Sequence, residues 1–174
     1  PIYNPSYASY QGIRSVSLSS DGKLLAIGTW CRGSYGRYSY VHLFNVQTNS
    51  TAWTSRISDI TSSSLWDYVT VDISSDGEST VAGSTNMKTV YLFNRTSSTP
   101  EQSYPLASSV NSVSVSEDGN YFAAGSGNLV YYFKKGLSVI LWSVDVQIAV
   151  VSVSISPAGT YVAVASGPYV TILS

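Results

Sequence analysis

Four short stretches of the chain alternate an aliphatic residue with a small polar one: Ser15-Val16-Ser17-Leu18-Ser19, Thr70-Val71-Asp72-Ile73-Ser74, Ser112-Val113-Ser114-Val115-Ser116 and Ser152-Val153-Ser154-Ile155-Ser156. A period of two puts the apolar side chains on one side of an extended strand and the hydroxyls on the other. Each stretch runs into a turn, at Asp21-Gly22, Asp76-Gly77, Asp118-Gly119 and Ala158-Gly159. Glycine supplies the positive φ of a tight hairpin, and an aspartate before it accepts hydrogen bonds from the turn backbone. Turn chemistry therefore accounts for these three aspartates.

Behind each turn a second strand ends in small residues, at Leu24 to Gly28, Ser79 to Gly83, Tyr121 to Gly125 and Tyr161 to Ala165. A third follows at Tyr40 to Phe44, Val90 to Phe93, Leu129 to Phe133 and Tyr169 to Leu173. A fourth carries an aromatic residue, at Thr51-Ala52-Trp53, Gln102-Ser103-Tyr104 and Leu141-Trp142-Ser143. Four short strands in a unit of about 40 residues is the pattern of a β-propeller blade. The expected fold is all-β: one repeat domain over 1–174 of four antiparallel four-stranded blades, with units at about 11–58, 66–106, 108–146, and 148–174 plus 3–10.

The termini are offset by one strand. The last unit stops after its third strand, Tyr169-Val170-Thr171-Ile172, while Ser6-Tyr7 stands as far before Val16 as Ser103-Tyr104 stands before Val113. The N-terminal strand is expected to complete the last blade, because an unpaired strand edge has to be covered. Completion within the chain closes a four-bladed ring; completion between chains makes a larger ring or a filament.

Composition narrows the chemistry. Nine basic and ten acidic side chains leave a net charge of −1 and no basic cluster, so nucleic acid is not an expected partner. No apolar run reaches the ~20 residues of a membrane helix. Charged residues are 11% of the chain against a usual ~25%, so hydroxyls and amides solubilise the surface. That surface and the sequons at Asn49 and Asn94, the candidate N-glycosylation sites, point to an extracellular or cell-surface protein. Cys31 is the one cysteine and gives no disulfide framework.

Catalytic groups are few. His42, the one histidine, sits inside a third strand, where a structural role is expected, and no nucleophile-elbow motif accompanies it. Asp67 and Asp72 are neighbours without the oxygen-rich loop of a calcium site. Asp72 stands where the other units carry serine and Asp145 lies in a connector; both read as satisfied polar contacts. No catalytic residue, metal or cofactor is expected.

The repeat resembles the PQQ-like and WD40-like β-propeller repeats of secreted archaeal and bacterial proteins. Val71-Asp72-Ile73-Ser74-Ser75-Asp76-Gly77 with Val90-Tyr91-Leu92-Phe93-Asn94 is the best copy, and Val113 to Gly119 with Val130 to Phe133 and Leu141-Trp142 is close to it. The resemblance covers essentially the whole chain and implies the propeller fold. The Gly-His and Trp-Asp pairs of WD40 blades are absent. Members that use a quinone hold it with acidic metal ligands and a vicinal cysteine pair, so the single cysteine disfavours a quinoprotein dehydrogenase.

Unit one is longer than the others in two places, expected at Trp30 to Tyr38 and at Asp59 to Trp66, both on the end opposite the Asp-Gly turns. Sequence added to a repeat scaffold is where specific function is usually grafted. Trp30, Arg32, Tyr35, Arg37, Tyr38 and Trp66 form the candidate binding loop, an aromatic and arginine mix suited to protein or glycan contacts. The competing role for Trp30 and one of the tyrosines is a lid over the blade top, covering the core. The expected function is a non-enzymatic extracellular structural or binding module that assembles with copies of itself into a filament, surface layer or adhesive assembly. Strand complementation would join Ser6 and Tyr7 to Tyr169, Val170, Thr171 and Ile172. The alternatives are a monomeric ligand- or glycan-binding propeller, and a hydrolase, lyase or quinoprotein-like enzyme domain with its pocket on the insertion face.

Overall fold

The structure is a computed structural model that describes residues 8–33, 36–60 and 67–174. The described residues form four antiparallel sheets. The first runs β1 (Ala8–Leu18), β2 (Leu24–Gly33), β3 (Gly36–Asn45), β4 (Ser50–Ile60). The second runs β5 (Val69–Ile73), β6 (Ser79–Ser84), β7 (Thr89–Asn94), β8 (Gln102–Pro105). The third runs β9 (Val110–Val115), β10 (Tyr121–Ser126), β11 (Leu129–Lys134), β12 (Ile140–Asp145), and the last holds β13 (Val150–Ile155), β14 (Val162–Ser166) and β15 (Tyr169–Leu173).

Local chemistry builds the hairpins as the repeat predicts. Gly22, Gly77, Gly119 and Gly159 all take φ near +70°, between +69° and +75°. In the first three turns an aspartate Oδ1 accepts from the serine hydroxyl two residues earlier and from the backbone N–H two residues later, as Asp76 does from Ser74 at 2.6 Å and Glu78 at 2.9 Å. The last turn has Ala158 and lacks this pair of bonds.

Sheets stack face to face, each inner strand against the previous sheet: β1 on β5, β5 on β9, β9 on β13. The alternation read from the sequence decides what lies where. The aliphatic side of each inner strand faces back onto the preceding sheet, so Val71 and Ile73 join Ala26, Leu43 and Trp53 in one core. Val113 and Val115 close a second core with Leu92 and Tyr104, and Val153 and Ile155 a third with Ala123 and Tyr132. The hydroxyl side faces the following sheet and holds its backbone. Ser15 Oγ accepts from Val71 N at 3.1 Å, Ser112 Oγ from Val153 N at 3.1 Å and Ser114 Oγ from Ile155 N at 3.2 Å. Buried apolar area at these joints, at roughly 25 cal/mol per Å², is the main stabilising term.

Two features differ from the sequence expectations. The first set of extra residues in unit one lengthens strands: β2 and β3 have ten residues each, and Trp30↔Ser39 and Arg32↔Arg37 are paired across the sheet; of the second set, residues 61–66 lie outside the described residues. The long β2 also offers a template at its far end, and Ala8 and Tyr10 pair there with Gly33 and Arg32. Residues 8–10, placed by the repeat alignment in the last unit, therefore belong to the first sheet. Ser6 and Tyr7 lie outside the described residues. The last sheet has three strands, and no packing comparable to the three joints brings β13 back to β1. The ring is not closed within the chain among the described residues.

Candidate functional site

The extended β2–β3 hairpin brings Trp30, Arg32, Arg37 and Tyr38 together but divides them between two faces. Directly paired residues share a face, so Trp30, Arg32 and Arg37 lie on the side toward the second sheet, while Tyr38 pairs with Cys31 on the other. Trp30 is half-buried and lies over Gly12 of β1, where an added Cβ would come within 2.7 Å of the indole nitrogen. Arg37 is buried and Arg32 exposed. The Arg56 guanidinium stands 4.2 Å over the Tyr38 ring, which takes one face of that ring away from any stacking ligand. Tyr35 and Trp66 lie outside the described residues.

His42 is held in a polar rung across three strands. One ring nitrogen contacts Thr29 Oγ1 on β2 at 2.9 Å, the other Thr54 Oγ1 on β4 at 2.9 Å, and Tyr40 stacks at 5.9 Å. Burial pushes the imidazole from its ordinary 6.5 down to about 4. The unfolded chain thus takes up a proton through pH 6.5 that the folded chain refuses until about pH 4. The contribution of His42 to stability is expected to be flat above pH 7 and to fall by about 3 kcal/mol between pH 7 and 4. Urea unfolding at pH 7.5, 5.5 and 4.5 measures this, and H42Q should flatten the slope over that window.

Asp67, Asp72, Asp118 and Asp145 each accept hydrogen bonds within the fold. Asp67 is buried; its Oδ1 accepts from Ser84 Oγ at 2.7 Å and Asn86 N at 2.9 Å, and its backbone carbonyl accepts from Ser39 Oγ. Asp72 links three inner strands: Oδ1 accepts from Ser17 Oγ at 2.7 Å and Ile73 N at 3.0 Å, Oδ2 from Val115 N at 2.9 Å and Ser114 Oγ at 3.3 Å. Asp145 accepts from Asn128 Nδ2 and Gln147 N. Hydrogen bonds to the carboxylate of Asp118 from Asn120 N and Ser116 hold it below the ordinary aspartate range. The described residues hold no group of three His, Cys, Asp or Glu placed to bind a metal ion. Cys31, the one cysteine of the sequence, is buried on β2.

Two hollows open at the ends of the inner strands. One of about 510 Å³ is lined by turn residues including Asp76, Glu117 and Asp118. The other, about 300 Å³, lies at the opposite end beside Arg14, Tyr68 and Asn111, with the Arg14 guanidinium 5.3 Å over the Tyr68 ring. Sequence reasoning did not single out Arg14 and Tyr68, because they meet only across the β1–β5 joint. Asn49 (φ +50°) and Asn94 lie at the β3–β4 and β7–β8 turns, on the Asp-Gly end as expected, and Asn94 Oδ1 accepts from Thr96 N and Oγ1. In β15, Tyr169, Val170 and Ile172 are exposed, and the strand's outer edge carries no partner among the described residues.

A family model described as "WD domain, G-beta repeat" matches residues 99–134, from the approach to β8 through β11. In structure the chain is similar to the β-propeller domain of Cps50 (Swd1) from Myceliophteria thermophila, with a TM-score of 0.68 and 13% sequence identity over 93% of this chain and 53% of that one. No curated protein matches the chain. The fold is a WD40-like β-propeller arc that spans about half the length of that propeller domain.

Proposed function

We propose that the chain is a non-enzymatic scaffold module that works by assembling with copies of itself, at the cell surface or outside the cell. One observation carries the reading: the first and last sheets present apolar faces that no described residue covers. Val16 and Leu18 are 57% and 54% exposed, while their counterparts Val71 and Ile73 are 5% and 6% exposed. At the other end Val170 and Ile172 are 75% and 61% exposed. Uncovered apolar area of this kind marks an interaction surface. The WD40-like repeat supports a role in protein contacts, and the His42 rung and turn-bound aspartates leave little for catalysis.

Sedimentation velocity on the purified chain tests this. Species heavier than the 18.7 kDa chain are expected, growing with concentration. A monomer at every soluble concentration would overturn the reading. The extracellular part has its own test. Expressed in a glycosylating secretory host, the chain is expected to lose two glycan masses on enzymatic deglycosylation, one from Asn49 and one from Asn94. An unchanged intact mass would remove that support.

A further inference from the structure

We propose that two copies join head to tail, the β1 face of each packing on the β14–β15 face of the other, so that two four-sheet arcs close one eight-sheet ring. This rests on the assembly reading above and names its joint. The three interior joints show what each kind of face holds. On the β1 face, Val16 and Leu18 occupy the columns of Val113 and Val115, which are buried at 6% and 8%. On the β14–β15 face, Tyr161 and Ile172 occupy the columns of Tyr121 and Tyr132, which pack against Val153 and Ile155. Each exposed face is thus the partner type of the other, and neither is the partner type of itself. Heterologous contact is the geometry this requires, and with two copies it closes.

Hydrogen-bond columns agree. At the interior joints the serine in the Ser15 and Ser112 column accepts from the next inner strand's valine, and Ser114 accepts from its isoleucine two residues on. Ser152 and Ser154 continue those columns on β13 and are exposed. In the joint they would accept from Val16 N and Leu18 N of the second copy. Eight blades lies within the range of propellers.

Two positions make this joint weaker than an interior one. Backbone bonds run from turn to turn, Ser20 N to Ser75 O, Ser75 N to Glu117 O and Glu117 N to Pro157 O, each 3.0 Å. Pro157 has no N–H to continue them. Ala165 stands where Gly28, Gly83 and Gly125 admit the next inner strand, an added Cβ at Gly125 coming within 2.3 Å of Val150. Ile13 would meet that methyl and has to sit further out. The pairing is therefore reversible and concentration-dependent.

Sedimentation equilibrium of the wild-type chain, L18D and V170D tests the joint. Both substituted side chains are exposed in the single chain, so the fold should survive, which far-UV circular dichroism checks for each. The wild type is expected at twice 18.7 kDa, and each variant alone as a monomer. Mixed in equal amounts, the variants should recover a dimer, because the intact β1 face of V170D meets the intact β14–β15 face of L18D. A monomeric wild type overturns both this joint and the assembly reading. A wild-type dimer that L18D or V170D leaves intact overturns the joint alone, as do species growing past two copies, which overturn the closed ring.

Discussion

Replacing Phe133 with alanine is expected to remove about 4 kcal/mol from the unfolding free energy. Phe133 on β11 is fully buried between the second and third sheets. Its ring stacks on Phe122 at 4.9 Å and meets the Tyr104 ring of β8 at 4.7 Å, so one side chain joins two strands of its own sheet to the last strand of the previous one. Truncation leaves a cavity walled by aromatic rings held on paired strands, which cannot collapse into it, and this puts the cost toward the upper part of the range for such changes. Because the arc has only nearest-neighbour joints, the loss is also expected to uncouple its two halves. Urea unfolding should show a lower midpoint and a broader transition in F133A. A loss under 1 kcal/mol would mean that the second joint is not a close-packed core.

Much of this joint was legible beforehand, and the reason is local. Period-two alternation and a glycine that needs positive φ act within ten residues, so the inner strands and their turns could be read from Ser112 to Gly119 alone. His42 was legible as structural from its place in a strand, but Thr29 and Thr54 were not, since they reach it only through the register of two strand pairs. A residue count between repeat landmarks shows that unit one has extra residues near Trp30 to Tyr38 but not their conformation; the pairing of β2 with β3 carries them as longer strands. Closure was the least legible feature. Whether four sheets meet in a ring depends on how closely successive inner strands approach. That is set by contacts such as Gly28 against the Val69 carbonyl, which no single repeat contains.

The second large effect is expected at Asp72. Alone among the inner-strand polar residues in its column, it carries a carboxylate, and it spends both oxygens on structure, bonding Ser17 on β1, its own neighbour Ile73 and both Ser114 and Val115 on β9. The first three sheets are therefore tied at one residue. Asp72→Ala strands the N–H groups of Ile73 and Val115 in a half-buried site, each costing about 1–3 kcal/mol when left without an acceptor. A loss of about 3 kcal/mol is expected for D72A. Asp72→Ser restores what the other units carry; one hydroxyl can accept from Val115 N as Ser114 does from Ile155 N, so D72S should lose only about 1 kcal/mol. The ordering D72A below D72S below wild type, read from urea midpoints, separates a bond lost from a charge lost. If D72S were as unstable as D72A, the carboxylate's charge, and not its reach to Val115, would be what holds the three inner strands together.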